Sequence, residues 1–152
     1  IGWLVQMSVV QEFSPGGPAE RRALIYDDDE TYAEECAEAL ERHGFVTATR
    51  AGRTDFLRLI GNFSPDVLIL DLHMPGRDGV EVLRALRDYE HKRDVLVVLV
   101  SAAHPVMLST AADLATAYGV RLLGAFPKPL KFADLVARLR RAFHGEHKTA
   151  QN

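Results

Sequence analysis

Residues 95–100 read Val-Leu-Val-Val-Leu-Val, six apolar positions with no polar interruption. A strand with one wet face alternates polar and apolar residues, so a run without alternation is expected to be buried on both faces, as in the centre of a parallel sheet covered by helices. The rest of the chain fits that placement. Short apolar runs at residues 23–26, 45–49, 67–70 and 121–125 are separated by stretches of helical period, the arrangement of repeated βα units. The expected fold class is α/β, an open sheet of five parallel strands with helices on both sides.

The intervening segments carry apolar stripes at helical spacing. Thr31, with Glu34 three residues on, has the spacing of a capping box, and Tyr32, Cys36 and Leu40 then share one face. Phe56, Leu59, Ile60 and Phe63 form a second stripe; Val82, Leu83 and Leu86 a third; Met107, Ala111, Leu114, Ala115 and Tyr118 a fourth; Phe132, Leu135, Val136, Leu139 and Phe143 a fifth. All of these are expected to face the core.

With 152 residues, 47% hydrophobic and 26% charged, the chain has the size and balance of one globular domain. A net charge of −3 with scattered Lys and Arg gives no electrostatic footprint for nucleic acid. The lone Cys36 excludes an internal disulfide and reads as a packing residue in a reducing compartment. The apolar start at residues 3–10 is too short to span a bilayer, so a cytoplasmic protein with no membrane partner is expected. Residues 1–21 run into Ser14-Pro15-Gly16-Gly17-Pro18 and read as an appendage: a flexible tail, an expression remnant, or an extra strand that mediates self-association into a homodimer. The sequence leaves those three open. Residues 145–152 read as a C-terminal tail.

In an open parallel sheet ligands bind beyond the carboxyl ends of the strands. The first strand ends in Asp27-Asp28-Asp29, the third in Asp71, the fourth in Ser101, and Lys128 follows the fifth. Carboxylates gathered at one edge repel one another unless a cation neutralises them, and oxygen-only ligands of this kind suit Mg2+. Asp71 is then placed as a nucleophile towards phosphorus, with Lys128 and Ser101 as the cation and hydroxyl that phosphoryl transfer needs. Each feature alone has a plainer role: an Asp run caps helices, Ser101 ahead of His104-Pro105 suits a turn, and a lone Lys is usually solvated. Their coincidence at successive strand ends carries the functional reading.

These residues resemble the receiver domain of two-component response regulators over residues 22–144. The pieces are Ala23-Leu24-Ile25-Tyr26-Asp27-Asp28-Asp29, Asp66-Val67-Leu68-Ile69-Leu70-Asp71-Leu72-His73-Met74-Pro75-Gly76-Arg77-Asp78-Gly79, Val100-Ser101-Ala102 and Lys128-Pro129-Leu130. The resemblance implies strand order 2-1-3-4-5 and a cis Lys128-Pro129 bond. It implies Asp71 as phosphoacceptor, with Asp27, Asp28, Asp71 and the His73 carbonyl on Mg2+ or Mn2+. Ser101 is then the switch hydroxyl and Lys128 the phosphoryl-binding lysine. It also implies a histidine kinase, phosphotransfer protein or small phosphodonor as partner, self-catalysed modification rather than turnover of substrates, and signalling through the face of helix four, strand five and helix five. His73 and Ala103 occupy positions that tune the phosphoryl lifetime in that family.

The sequence departs from the family at Ala125, where many receivers carry an aromatic residue, and at Pro127. Phe126 stands beside the first of these. The stretch Val120-Arg121-Leu122-Leu123-Gly124-Ala125 is similar to receivers attached to EAL phosphodiesterase domains, and no EAL sequence occurs in these 152 residues. Two rivals remain at this stage. Asp27-Asp28-Asp29-Glu30-Thr31 also fits the Asp-x-Asp-x-Thr pattern of haloacid-dehalogenase-type phosphatases, with Asp27 as nucleophile. A degenerate receiver would bind a partner without being phosphorylated.

Overall fold

The computed structural model describes residues 20–51, 55–74, 77–102 and 104–151, with side chains given except at 73, 74, 77, 78 and 145–151. Five parallel strands form the sheet: β1 (Arg22–Tyr26), β2 (Val46–Arg50), β3 (Val67–Asp71), β6 (Leu96–Ser101) and β7 (Arg121–Pro127). Their order is β2-β1-β3-β6-β7, the expected 2-1-3-4-5 when only sheet strands are counted. Two dipeptide strands, β4 (His73–Met74) and β5 (Arg77–Asp78), make a separate antiparallel ladder that the sequence reading lacks. The helices are α1 (Glu30–Glu41), α2 (Phe56–Phe63), α3 (Gly79–Arg87), α4 (Pro105–Ala117) and α5 (Phe132–Gln151).

Alternation along the strands divides the core into two layers. Leu24, Tyr26, Leu68, Leu70, Val97 and Leu99 pack with Phe56, Ile60, Leu83, Leu86, Leu108 and Ala111, so α2, α3 and α4 cover that face. Ala23, Ile25, Ile69, Val98 and Val100 pack with Cys36, Leu40, Leu135 and Leu139 of α1 and α5 on the other. Every residue of β3 and β6 is buried, and the apolar runs 67–70 and 96–100 fill most of each. Cys36 is a buried free thiol with a packing role.

Three sequence expectations change. α1 is capped by Asp29, whose carboxylate accepts the Tyr32 N–H at 3.0 Å, not by Thr31. The helix starts one residue before Thr31, where the short Asp29 side chain reaches back over the first turn. On α4 the buried line is Leu108, Ala111 and Ala115, while Met107 is 53% exposed. Residue 107 sits a full 100° step around the helix from Leu108 and so leaves the core-facing stripe. Pro105 at the helix start and the His104 ring, which accepts the Val106 N–H at 3.2 Å, set that phase. Finally, α5 continues past Phe143, where its apolar stripe stops, because Glu146, Lys148, Ala150 and Gln151 are good helix formers. Residues 1–19, 52–54, 75, 76, 103 and 152 lie outside the described residues, and with them most of the N-terminal appendage and Ala103.

Candidate functional site

Adjacent parallel strands deliver their last residues to one edge of the sheet, and the ladder continues far enough to fix them there. Asp27 follows β1 directly, its N–H donating to the Arg50 carbonyl at 2.9 Å. Asp71 closes β3, and the next N–H, that of Leu72, donates to Val100 at 3.0 Å. Ser101 closes β6, and its carbonyl accepts the Lys128 N–H at 2.9 Å. Asp27, Asp71 and Ser101 are only 2%, 4% and 0% exposed, and they are the buried polar residues among those described. Asp28 is half-buried beside them, and His73 opens β4 opposite Asp78. The Lys128-Pro129 bond is cis.

Burying two carboxylates this deeply demands a counter-charge. Lys128 supplies it: Nζ lies 2.7 Å from Oδ2 of Asp27 and 3.5 Å from Oδ2 of Asp71. Burial alone would pull the lysine pKa down, but contact with Asp27 and the charge of Asp71 outweigh it and hold the pKa above its ordinary value. One cation against two buried anions leaves the trio with an excess negative charge.

The two oxygens of Asp27 are treated differently. Oδ1 accepts the Asp29 N–H at 2.9 Å. Oδ2, fully buried, has the ion pair with Lys128 but no hydrogen-bond donor at good geometry. A buried carboxylate oxygen short of a donor is what a hard cation would complete. Among the described residues no three His, Cys, Asp or Glu side chains form a cage by themselves. Mg2+ does not need one, since it takes one or two carboxylates plus water and phosphate oxygens. The donor set therefore fits Mg2+ or Mn2+. A cavity of about 310 Å³ opens beside Asp27, lined by Glu30, Glu34, Thr49 and Arg50.

One residue at the site does not stand at a strand end. Tyr32, expected from its spacing on a core stripe, is half-buried, and its ring lies 4.5 Å from Nζ of Lys128. Its position one helical turn after the acidic run is the only sequence signal it gives. Residues 125 and 126 also resolve. Ala125 packs into the layer covered by α2, α3 and α4, whereas Phe126 packs into the opposite layer, under the Arg138 guanidinium at 5.1 Å. A bulge where Leu122 and Gly124 pair with Val97 and Val98 leaves Leu123 as the extra residue and sets this phase. Phe126 thus stands on the wrong side of the sheet to replace an aromatic at 125.

The sequence profile of the response regulator receiver domain matches residues 23–140. The chain belongs to that family. It is 34% identical to response regulator MprA of Mycobacterium sp. (strain KMS) over 119 residues, which is 78% of this chain and 49% of MprA. The receiver thus spans about half the length of the curated relatives it matches. Among solved structures, the signal receiver domain of NarL from Mycobacterium tuberculosis superimposes with a TM-score of 0.65 at 30% identity, covering 84% of this chain and 99% of that one. A response regulator from Burkholderia pseudomallei, described with a phosphorylated aspartic acid, a calcium ion and citrate, shares the fold. Its TM-score is 0.66 at 21% identity, over 88% of this chain and 75% of the other.

The phosphatase pattern dissolves within this receiver. Its third residue, Asp29, is engaged in capping α1, and Thr31 lies inside that helix. Among the described residues, no helix is long and apolar enough to cross a membrane.

Proposed function

We propose that the unit at residues 22–144 takes a phosphoryl group on Asp71, from a histidine kinase, a phosphotransfer protein or a small phosphodonor. The observation that carries this reading is the shared lysine: Nζ of Lys128 stands between the buried carboxylates of Asp27 and Asp71 at the sheet edge. A structural ion pair needs one acid, and the second makes sense when a further cation and a phosphoryl group arrive.

A carboxylate oxygen of Asp71 attacks phosphorus, the bond from phosphorus to the donor nitrogen or oxygen breaks, and the leaving group departs with its electron pair and gains a proton. The product is an acyl phosphate on Asp71. Asp27, Asp28, Asp71 and the His73 carbonyl would hold Mg2+ or Mn2+, which when bound offsets the charge of the carboxylates and of the incoming phosphoryl oxygens. Lys128 is already within reach of Asp71 and turns from one anion to the other without leaving the pocket. Ser101 donates its hydroxyl to a phosphoryl oxygen, drawing the end of β6 inward. That movement shifts the population of states at the face of α4, β7 and α5, and a partner reads it. The chain is itself the acceptor and ends the step carrying the phosphoryl group while the spent donor departs, so it acts as a switch rather than as an enzyme in the ordinary sense.

Incubation with acetyl phosphate and Mg2+, followed by intact-mass measurement, tests the reading. The expected result is a gain of one phosphoryl group that is absent without the metal and absent in Asp71→Asn. An unmodified wild-type mass, together with no spectral response to beryllofluoride, overturns it in favour of a receiver that binds partners without phosphorylation.

A further inference from the structure

Tyr32 makes three contacts with one short segment. The ammonium of Lys128 lies 4.5 Å from the centre of its ring. Its phenol oxygen accepts the Leu130 N–H at 3.3 Å. Its ring stands 5.3 Å from that of Phe132, tilted by 56°, where α5 begins. A tyrosine that only filled space would have neither the cation nor the amide. The negative face of an aromatic ring attracts an ammonium, the more so when both are withdrawn from water. The ammonium of Lys128 thus has three neighbours: Oδ2 of Asp27, Oδ2 of Asp71 and the Tyr32 ring.

From this geometry we infer that Tyr32 is a positioning residue for Lys128: its ring holds the ammonium at the strand end, and its hydroxyl ties the following loop to α1. The inference rests on the proposed role of Lys128 in phosphoryl binding. It supplies a route for the signal that does not need an aromatic residue at 125. When Lys128 turns towards a phosphoryl oxygen it gives up the ring face, and Leu130 and Phe132, held by the same side chain, feel the change. Residues 128–132 connect β7 to α5, so the displacement starts at the proposed output face.

Two substitutions separate the parts. Tyr32→Phe keeps the ring and loses the hydroxyl; Tyr32→Leu loses both at a half-buried site that accepts an apolar side chain. Phosphorylation by acetyl phosphate is expected to slow about fivefold in Tyr32→Leu and to stay within about twofold of wild type in Tyr32→Phe, on the scale of one partly desolvated cation–π contact. Exchange of the Leu130 amide speeds up in both variants. Independently of any phosphoryl transfer, the side-chain methylene next to Nζ of Lys128 shows a ring-current shift in the NMR spectrum of the unmodified protein. That shift persists in Tyr32→Phe and vanishes in Tyr32→Leu. A Lys128 methylene unshifted in wild type, or a Tyr32→Leu variant that is phosphorylated at the wild-type rate, overturns the inference. If wild type takes no phosphoryl group while the ring-current pattern holds, the proposed function fails and the positioning by Tyr32 stands.

Discussion

Asp66 and Asp71 stand at opposite ends of the same strand, and the sheet treats them differently. Asp66, half-buried before β3, accepts the Arg22 main-chain N–H on Oδ2 at 2.8 Å and donates its own N–H to the Arg22 carbonyl at 2.7 Å. The Arg22 guanidinium is engaged elsewhere, donating to the Phe63 carbonyl at 2.7 Å and lying 4.2 Å from the centre of the Phe63 ring. The lower edge therefore splices a charged side chain into the ladder through neutral amides. At the upper edge Asp71 and Asp27 are almost wholly buried and share one ammonium. An acid near a strand end is thus no functional signal by itself; what neutralises it, and at which edge, makes the difference.

The comparison breaks most visibly through its cation. Lys128→Ala removes the ammonium that two buried carboxylates share, and removing one partner of a buried ion pair costs about 3–5 kcal/mol. Asp66→Ala orphans one main-chain N–H, a loss of about 1–3 kcal/mol. Urea unfolding of the two variants measures both, and Mg2+ is expected to restore part of the stability lost in Lys128→Ala and none of that lost in Asp66→Ala. Equal losses, or equal responses to the metal, would erase the distinction between the two edges.

How much of this was legible beforehand follows from the same contrast. The five strands are legible in their apolar runs, with Asp27, Asp71 and Ser101 where three of those runs end and Lys128 after the fifth. The strand order is legible only through the resemblance to receiver domains, since β2 and β7 are half-buried and their sequence does not say which neighbours they take. The cap of α1 was displaced by two residues because Asp29 and Thr31 are both good caps and only the packing of α1 chooses between them. The spacing of Met107 from Ala111 fits a core stripe, but Leu108 fits equally well and the helix can bury only one of the two. The contacts of Tyr32 are not legible in the sequence. Its partners lie 96 to 100 residues further along, and helical periodicity records that a residue is apolar, not that a lysine arrives over its ring.

The reach of the upper edge into the core can be read at Cys36. Burial first, and the negative charge of Asp27 second, push its thiol pKa up to about 12 from an ordinary value of 9.0. The folded state therefore holds the proton where the unfolded chain releases it. The thiol's contribution to stability is complete below about pH 9 and declines as pH rises towards 12, with a slope of at most about 1.4 kcal/mol per pH unit. Unfolding free energies of wild type and Cys36→Ala across that window should converge as pH rises, because the alanine variant lacks this proton. Parallel curves would show that the thiol is not shielded.

The substitution with the largest effect on function is expected to change stability little. Asp71→Asn removes the proposed phosphoacceptor, and phosphoryl uptake is expected to disappear. It also removes the anion that Lys128 serves at the longer distance of 3.5 Å and leaves the 2.7 Å pair with Asp27 electrically neutral. The stability should rise by up to about 1 kcal/mol, since two buried carboxylates on one ammonium gather excess charge against folding. At the lower edge no such exchange exists. The amide of Asp66→Asn can keep the bond from the Arg22 N–H and relieves no surplus charge, so that variant should match wild type without exceeding it. Melting temperatures of the two asparagine variants, measured without metal, decide the point: a gain at residue 71 and none at residue 66 marks the upper edge as the one held under electrostatic strain.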